Sequence, residues 1–140
     1  MTDHRRLGVE LFNEVWRLLE TREDDDRMLH AAHASRFHWG EAAEAGPANL
    51  ARGEWQVSRV YVVLGRTEPA LWHAQRCLAY CEGADLGDWD LAYAYEALAR
   101  ASALTGDPEA AVWKAKAREA GDLIVDPEDR EHFDEDFATL

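Results

Sequence analysis

The sequence predicts an all-α chain of about seven helices, paired as antiparallel hairpins that stack into an array and closed by a C-terminal capping helix. The first observation behind this is an internal echo. A shift of 41 residues carries the stretch 54–78 onto 95–119, superposing Gly65 on Gly106, Glu68 on Glu109, Ala70 on Ala111, Trp72 on Trp113 and Ala74 on Ala115. A helix, a glycine turn and a second helix, repeated, is the mark of a hairpin array. The second observation is that apolar residues recur at helical spacing, with no strand-like alternation. The third is that Gly and Pro fall between the periodic segments, at Gly46-Pro47, Gly65, Gly83 and Gly106-Asp107-Pro108.

The elements follow in order. Over residues 4–21, Leu7, Leu11, Val15 and Leu18 form one apolar row, widened by Phe12, Trp16 and Leu19. The acids at 23–26 suit the positive N-terminal end of a second helix over 25–44, which carries Met28, Leu29, Ala32, Phe37 and Trp39. A third helix starts at Pro47, a residue tolerated in a first turn, and runs to 64. It has two apolar stripes, one with Leu50, Val57, Val60, Tyr61 and Leu64 and one with Ala51, Trp55, Ser58 and Val62, so it is expected to be central. Gly65 closes it in a left-handed conformation. A fourth helix over 68–81 turns Ala70, Leu71, Ala74, Cys77 and Leu78 inward. A fifth spans 89–104, a sixth follows Asp107-Pro108 to about 121, and a seventh starts at Asp126-Pro127. Phe133, Phe137 and Leu140 of the seventh are expected to cover the open end of the stack. Trp72 and Trp113 are expected to pack at equivalent buried sites.

Composition bounds the function classes. The chain has 140 residues, 47% hydrophobic, with six Trp to bury, enough for one domain with a real core. A net charge of −13 with no local basic patch argues against a nucleic-acid partner. The two Cys, Cys77 and Cys81, stand four apart on one helix face and read as small buried thiols, not a disulfide framework. The N-terminal residues lead into an amphipathic segment with Glu10 and Glu14, unlike the uncharged run of a signal peptide. No stretch approaches ~18 apolar residues. The expected location is therefore the cytoplasm, with no membrane partner.

Ala70 and Ala111 in second helices, Ser58 and Ala99 as small residues in first helices, Tyr61, Leu98 and the turn residues Gly65 and Gly106-Asp107 together resemble tetratricopeptide (TPR)-like repeats. The resemblance covers 54–78 and 95–119, and residues 1–46 as a degenerate first hairpin. It divides the single domain into 1–46, hairpins 47–82 and 87–122, and a cap 126–140. The family's closing proline is absent at Glu82 and Leu123, and its second-helix aromatic is replaced by Ala74 and Ala115.

In that family the first helices line a concave groove. The resemblance thus implies a ligand face made of Arg52, Trp55 and Arg59 on one helix and Tyr93, Glu96 and Arg100 on the next. Arginines beside aromatics suit a peptide carboxylate, a phosphate or another small anion. The alternative is that Arg59 or Arg100 pairs with Glu96 as a contact between helices.

The second helix also carries Asp26, His30, His33 and His38, candidates to begin a metal site that needs a further ligand from elsewhere. No di-iron or zinc-protease motif, nucleophile elbow or phosphate loop accompanies them. Nothing argues for an enzyme or a cofactor. The expectation is a scaffold or adaptor module that presents its groove to a protein or peptide segment. The alternatives are a small metal- or ligand-binding protein using the second-helix histidines, and a self-associating structural subunit, with a homodimer as its simplest form.

Overall fold

Helical spacing and strong stop signals produce seven helices and no strand in the computed structural model, which describes residues 1–140. They are α1 (His4–Thr21), α2 (Asp25–Glu41), α3 (Pro47–Val63), α4 (Thr67–Gly83), α5 (Asp88–Ala103), α6 (Glu109–Gly121) and α7 (Pro127–Phe137). Acidic side chains close several starts. Asp3 accepts from the Arg6 amide at 3.0 Å, Asp24 from Arg27 at 2.9 Å, Asp107 from Glu109 at 2.9 Å and Asp126 from Glu128 at 2.8 Å. Each bond satisfies an amide that helix geometry leaves unpaired. α2 stops at Glu41, short of the expected 44, because Ala42 turns extended and feeds Gly46-Pro47. No helix is long and apolar enough to cross a membrane.

The hairpin turns after α3 and α5 close alike. Gly65 (φ 73°) and Gly106 (φ 68°) are left-handed. Arg66 and Gly65 donate back to Tyr61 and Val62 carbonyls, both at 2.9 Å, and Asp107 and Gly106 do the same to Ser102 and Ala103 at 3.2 and 3.1 Å. This double closure needs a residue without a Cβ penalty at the left-handed position.

α1 packs on α2, α3 on α4 and α5 on α6, and each second helix then meets the next first helix, α2 on α3 and α4 on α5. α3 also lies along α5, and α7 covers α5 and α6. α3 is central, as its two stripes predict, and buries Ala51, Glu54, Gln56, Val57, Ser58 and Val60. Small residues let helices approach until side chains reach the neighbour's carbonyls. Ser35 donates to Gly8 at 2.7 Å, Ser58 to Ala70 at 2.8 Å and Gln56 to Phe12 at 3.0 Å. At the C-terminal end Phe133 is fully buried, and a Cβ on Gly121 would stand 2.2 Å from its ring. The glycine is required by that contact.

One expectation needs correction. The 41-residue shift holds between α3 and α5, pairing buried Ala51 with Ala92, Val57 with Leu98 and Val60 with Ala101. Between α4 and α6 the shift fails: their C-terminal halves match at 40, pairing Cys77 with Ala117 and Cys81 with Gly121, although buried Ala74 there falls on exposed Lys114. His73 is thus matched by Trp113. Trp72, 50% exposed, is matched by Val112, 48% exposed. Trp72 and Trp113 are not equivalent, and only Trp113 packs on the core.

Candidate functional site

The first helices α1, α3 and α5, joined by α7, share one face of the array, and a cavity of about 300 Å³ opens there. Its walls are mainly aromatic: Phe12 from α1, Trp55 from α3, and Trp89 and Tyr93 from α5. Helical spacing brings them together, because residues 89 and 93 lie one turn apart and Trp55 faces them from the adjacent helix. Trp55 meets Tyr93 edge-on, with ring centroids 5.4 Å apart, and Tyr93 meets Trp89 in the same way at 5.8 Å. Trp16 continues the aromatic row from α1, 5.3 Å from Trp55.

Arg52 borders this cavity but is engaged. Its guanidinium donates two hydrogen bonds to Asp90, at 2.9 and 3.1 Å, and lies 5.3 Å from the Trp89 ring. Cys77 forms part of the wall. Its thiol is buried, and a hydrogen bond with Cys81 together with burial pushes it well above the ordinary range, so it is inert.

Beyond Tyr93 the face becomes ionic. Glu96 is fully buried, and its Oε1 accepts from Arg100 Nε at 2.5 Å and from Arg59 at 3.3 Å. Arg100 also donates to the Asp136 carbonyl at 3.0 Å and to Thr139 Oγ1 at 2.7 Å. The Asp136 carboxylate accepts the Tyr93 hydroxyl proton at 2.7 Å and lies 3.9 Å from Arg59. Burial, and then Asp136, raise the Tyr93 phenol well above its ordinary value, so it remains a neutral donor. The network ties α3, α5 and α7 together.

Arg52, Trp55, Arg59, Tyr93, Glu96 and Arg100 therefore do share a face. They divide into an aromatic cavity and an ion cluster. Both cluster arginines are held by Glu96, the arrangement expected of a contact between helices. The cavity offered to a ligand is correspondingly apolar. Phe12, Trp89, Asp90 and Asp136 were not singled out from the sequence. Trp89 and Tyr93 one turn apart carried a readable signal. Asp136 did not, because it reaches the face only through the docking of α7.

The α2 candidates are dispersed. His30 and Asp26 form an exposed pair at 3.6 Å. His38 Nδ1 is 2.9 Å from His4 Nδ1 on α1. His33 Nε2 is 2.8 Å from the Tyr61 hydroxyl on α3. Asp26, His30, His33 and His38, candidates to begin a metal site, do not converge: His30 stays with Asp26 on its own helix, whereas His33 and His38 turn to α3 and α1.

Comparison with protein-family models, with curated proteins and with solved structures gives no match to this chain.

Proposed function

We propose that this chain is a protein-binding module, a TPR-like array whose first-helix face takes a partner segment and seats one large apolar side chain among Phe12, Trp55 and Tyr93. The observation that supports this most is the cavity itself. At about 300 Å³ it lies at the small end of ligand sites, suited to one anchoring side chain rather than a whole cofactor. Aromatic walls with a satisfied polar rim are the usual make-up of a binding hot spot. The net charge of −13 favours a segment with basic residues flanking its anchor, which speeds encounter more than it adds affinity. The anion reading is less well supported, because Arg52, Arg59 and Arg100 already hold carboxylates.

Selection of peptides from a random display library on the purified chain tests this. The expected consensus is an aromatic or long aliphatic anchor with Lys or Arg nearby, lost when selection is repeated on a Trp55→Ala variant. Absence of any consensus, or one unchanged by Trp55→Ala, contradicts the reading.

A further inference from the structure

On the opposite side of α3, a buried carboxylate sits where the next hairpin is apolar. Glu54, 4% exposed, corresponds to Tyr95 by the first-helix shift, and His73 corresponds to Trp113 by the second-helix shift. In the later hairpin Tyr95 and Trp113 stack, with centroids 6.0 Å apart and an interplanar angle of 20°. In the earlier one Glu54 Oε2 accepts a hydrogen bond from His73 Nδ1 at 2.6 Å. The fold is thus satisfied at this place by an aromatic pair, whereas the carboxylate and imidazole carry a desolvation cost.

The surroundings hold that pair in one orientation. Glu54 Oε1 accepts from Arg36 Nε at 3.2 Å. Arg36 crosses α3 over Gly53, where a Cβ would stand 2.8 Å from its Cδ. The Tyr61 ring stacks on His73, 5.8 Å away at 12°. Glu54 accepts from Nδ1 and leaves Nε2 as the ring nitrogen not engaged by the carboxylate, the arrangement that orients metal-binding histidines. His33 is the adjacent imidazole, its centroid 5.5 Å from that of His73. Two imidazoles sharing one tetrahedral ion at ordinary metal–nitrogen distances have centroids roughly 5 Å apart.

We propose that His33 and His73 form an open site for a divalent transition metal that prefers imidazole, of the zinc or copper class, with Glu54 as the positioning residue behind His73. The two imidazoles supply only part of a coordination sphere, so water or a partner's donor would complete it. The Tyr61 hydroxyl, now on His33 Nε2, is placed to hydrogen-bond a metal-bound water.

The test is a Zn²⁺ titration of protein purified without a histidine tag, followed by chelator competition and by the histidine ring resonances in NMR. The expected result is one ion per chain, with shifts confined to His33 and His73. His33→Ala and His73→Ala should each weaken binding by roughly tenfold or more, and Glu54→Gln by roughly 10–100-fold. His38→Ala should leave it unchanged. His33 is exposed, so its variant keeps the test valid if the His73 variant unfolds. No binding, binding that survives His33→Ala, or shifts centred on His4 and His38 overturns the proposal.

Discussion

Trp113 stands in the third hairpin where His73 stands in the second. One stacks on Tyr95 and the other hydrogen-bonds Glu54. The same backbone site thus carries an apolar pair in one repeat and a polar pair in the other, and the visible Trp-to-Trp echo is one residue out of register.

The register makes a stability prediction. Trp72→Ala should change unfolding free energy by no more than about 0.5 kcal/mol, as for an exposed site. Trp113→Ala should cost about 2 kcal/mol, less than a full core deletion because the ring is only partly buried. Urea denaturation of the two variants checks this. Equal losses would restore the equivalence of the two tryptophans.

The ion cluster predicts an asymmetry between its arginines. Arg100 holds Glu96, the Asp136 carbonyl and Thr139, so Arg100→Ala should cost about 3 kcal/mol, in the range for breaking a buried pair. Arg59→Ala leaves Glu96 on Arg100 and should cost about 1 kcal/mol. Hydrogen exchange of α7 should rise in the first variant and much less in the second. Equal and negligible losses would mean that these arginines do not support the fold.

Contact between α6 and α7 predicts that Gly121→Ala destabilises by about 1–3 kcal/mol, through overpacking against Phe133. A double variant Gly121→Ala with Phe133→Leu should recover part of the loss. Thermal melts of the single and double variants decide it, and full additivity would contradict the contact.

His33 predicts a pH effect. Its folded pKa lies below the ordinary 6.5, through partial desolvation of the ring and then His73. The unfolded chain therefore takes up the proton first, so this group's contribution is complete above about pH 6.5 and is lost as pH falls through that value toward the folded pKa. NMR titration of the His33 ring should give a midpoint below 6.5, moving up in His73→Ala. A midpoint at or above 6.5 would contradict the packing around it.

Much of the architecture was legible because the signals are local: acids before α2, starts at Asp107 and Asp126, stops at Gly65 and Gly106, and the double stripe of α3. The face implied by the tetratricopeptide resemblance was legible in part, since Arg52 and Trp55 share a stripe of α3 and Tyr93 meets Trp55 from α5. What escaped depends on tertiary register. Asp90 meets Arg52 across two helices. Asp136 arrives with α7. Glu54 and His73 pair across a hairpin at a place where the sequence pattern alone calls for apolar residues.

The binding account is tested most directly by the tryptophan indole resonances. The six indoles are spread over both faces of the array, each a separate reporter. On adding a peptide selected on this chain, the Trp55, Trp89 and Trp16 signals should shift saturably while Trp72 and Trp113 stay in place. Shifts at Trp72 with Trp55 unmoved would place the partner on the other face and contradict the groove.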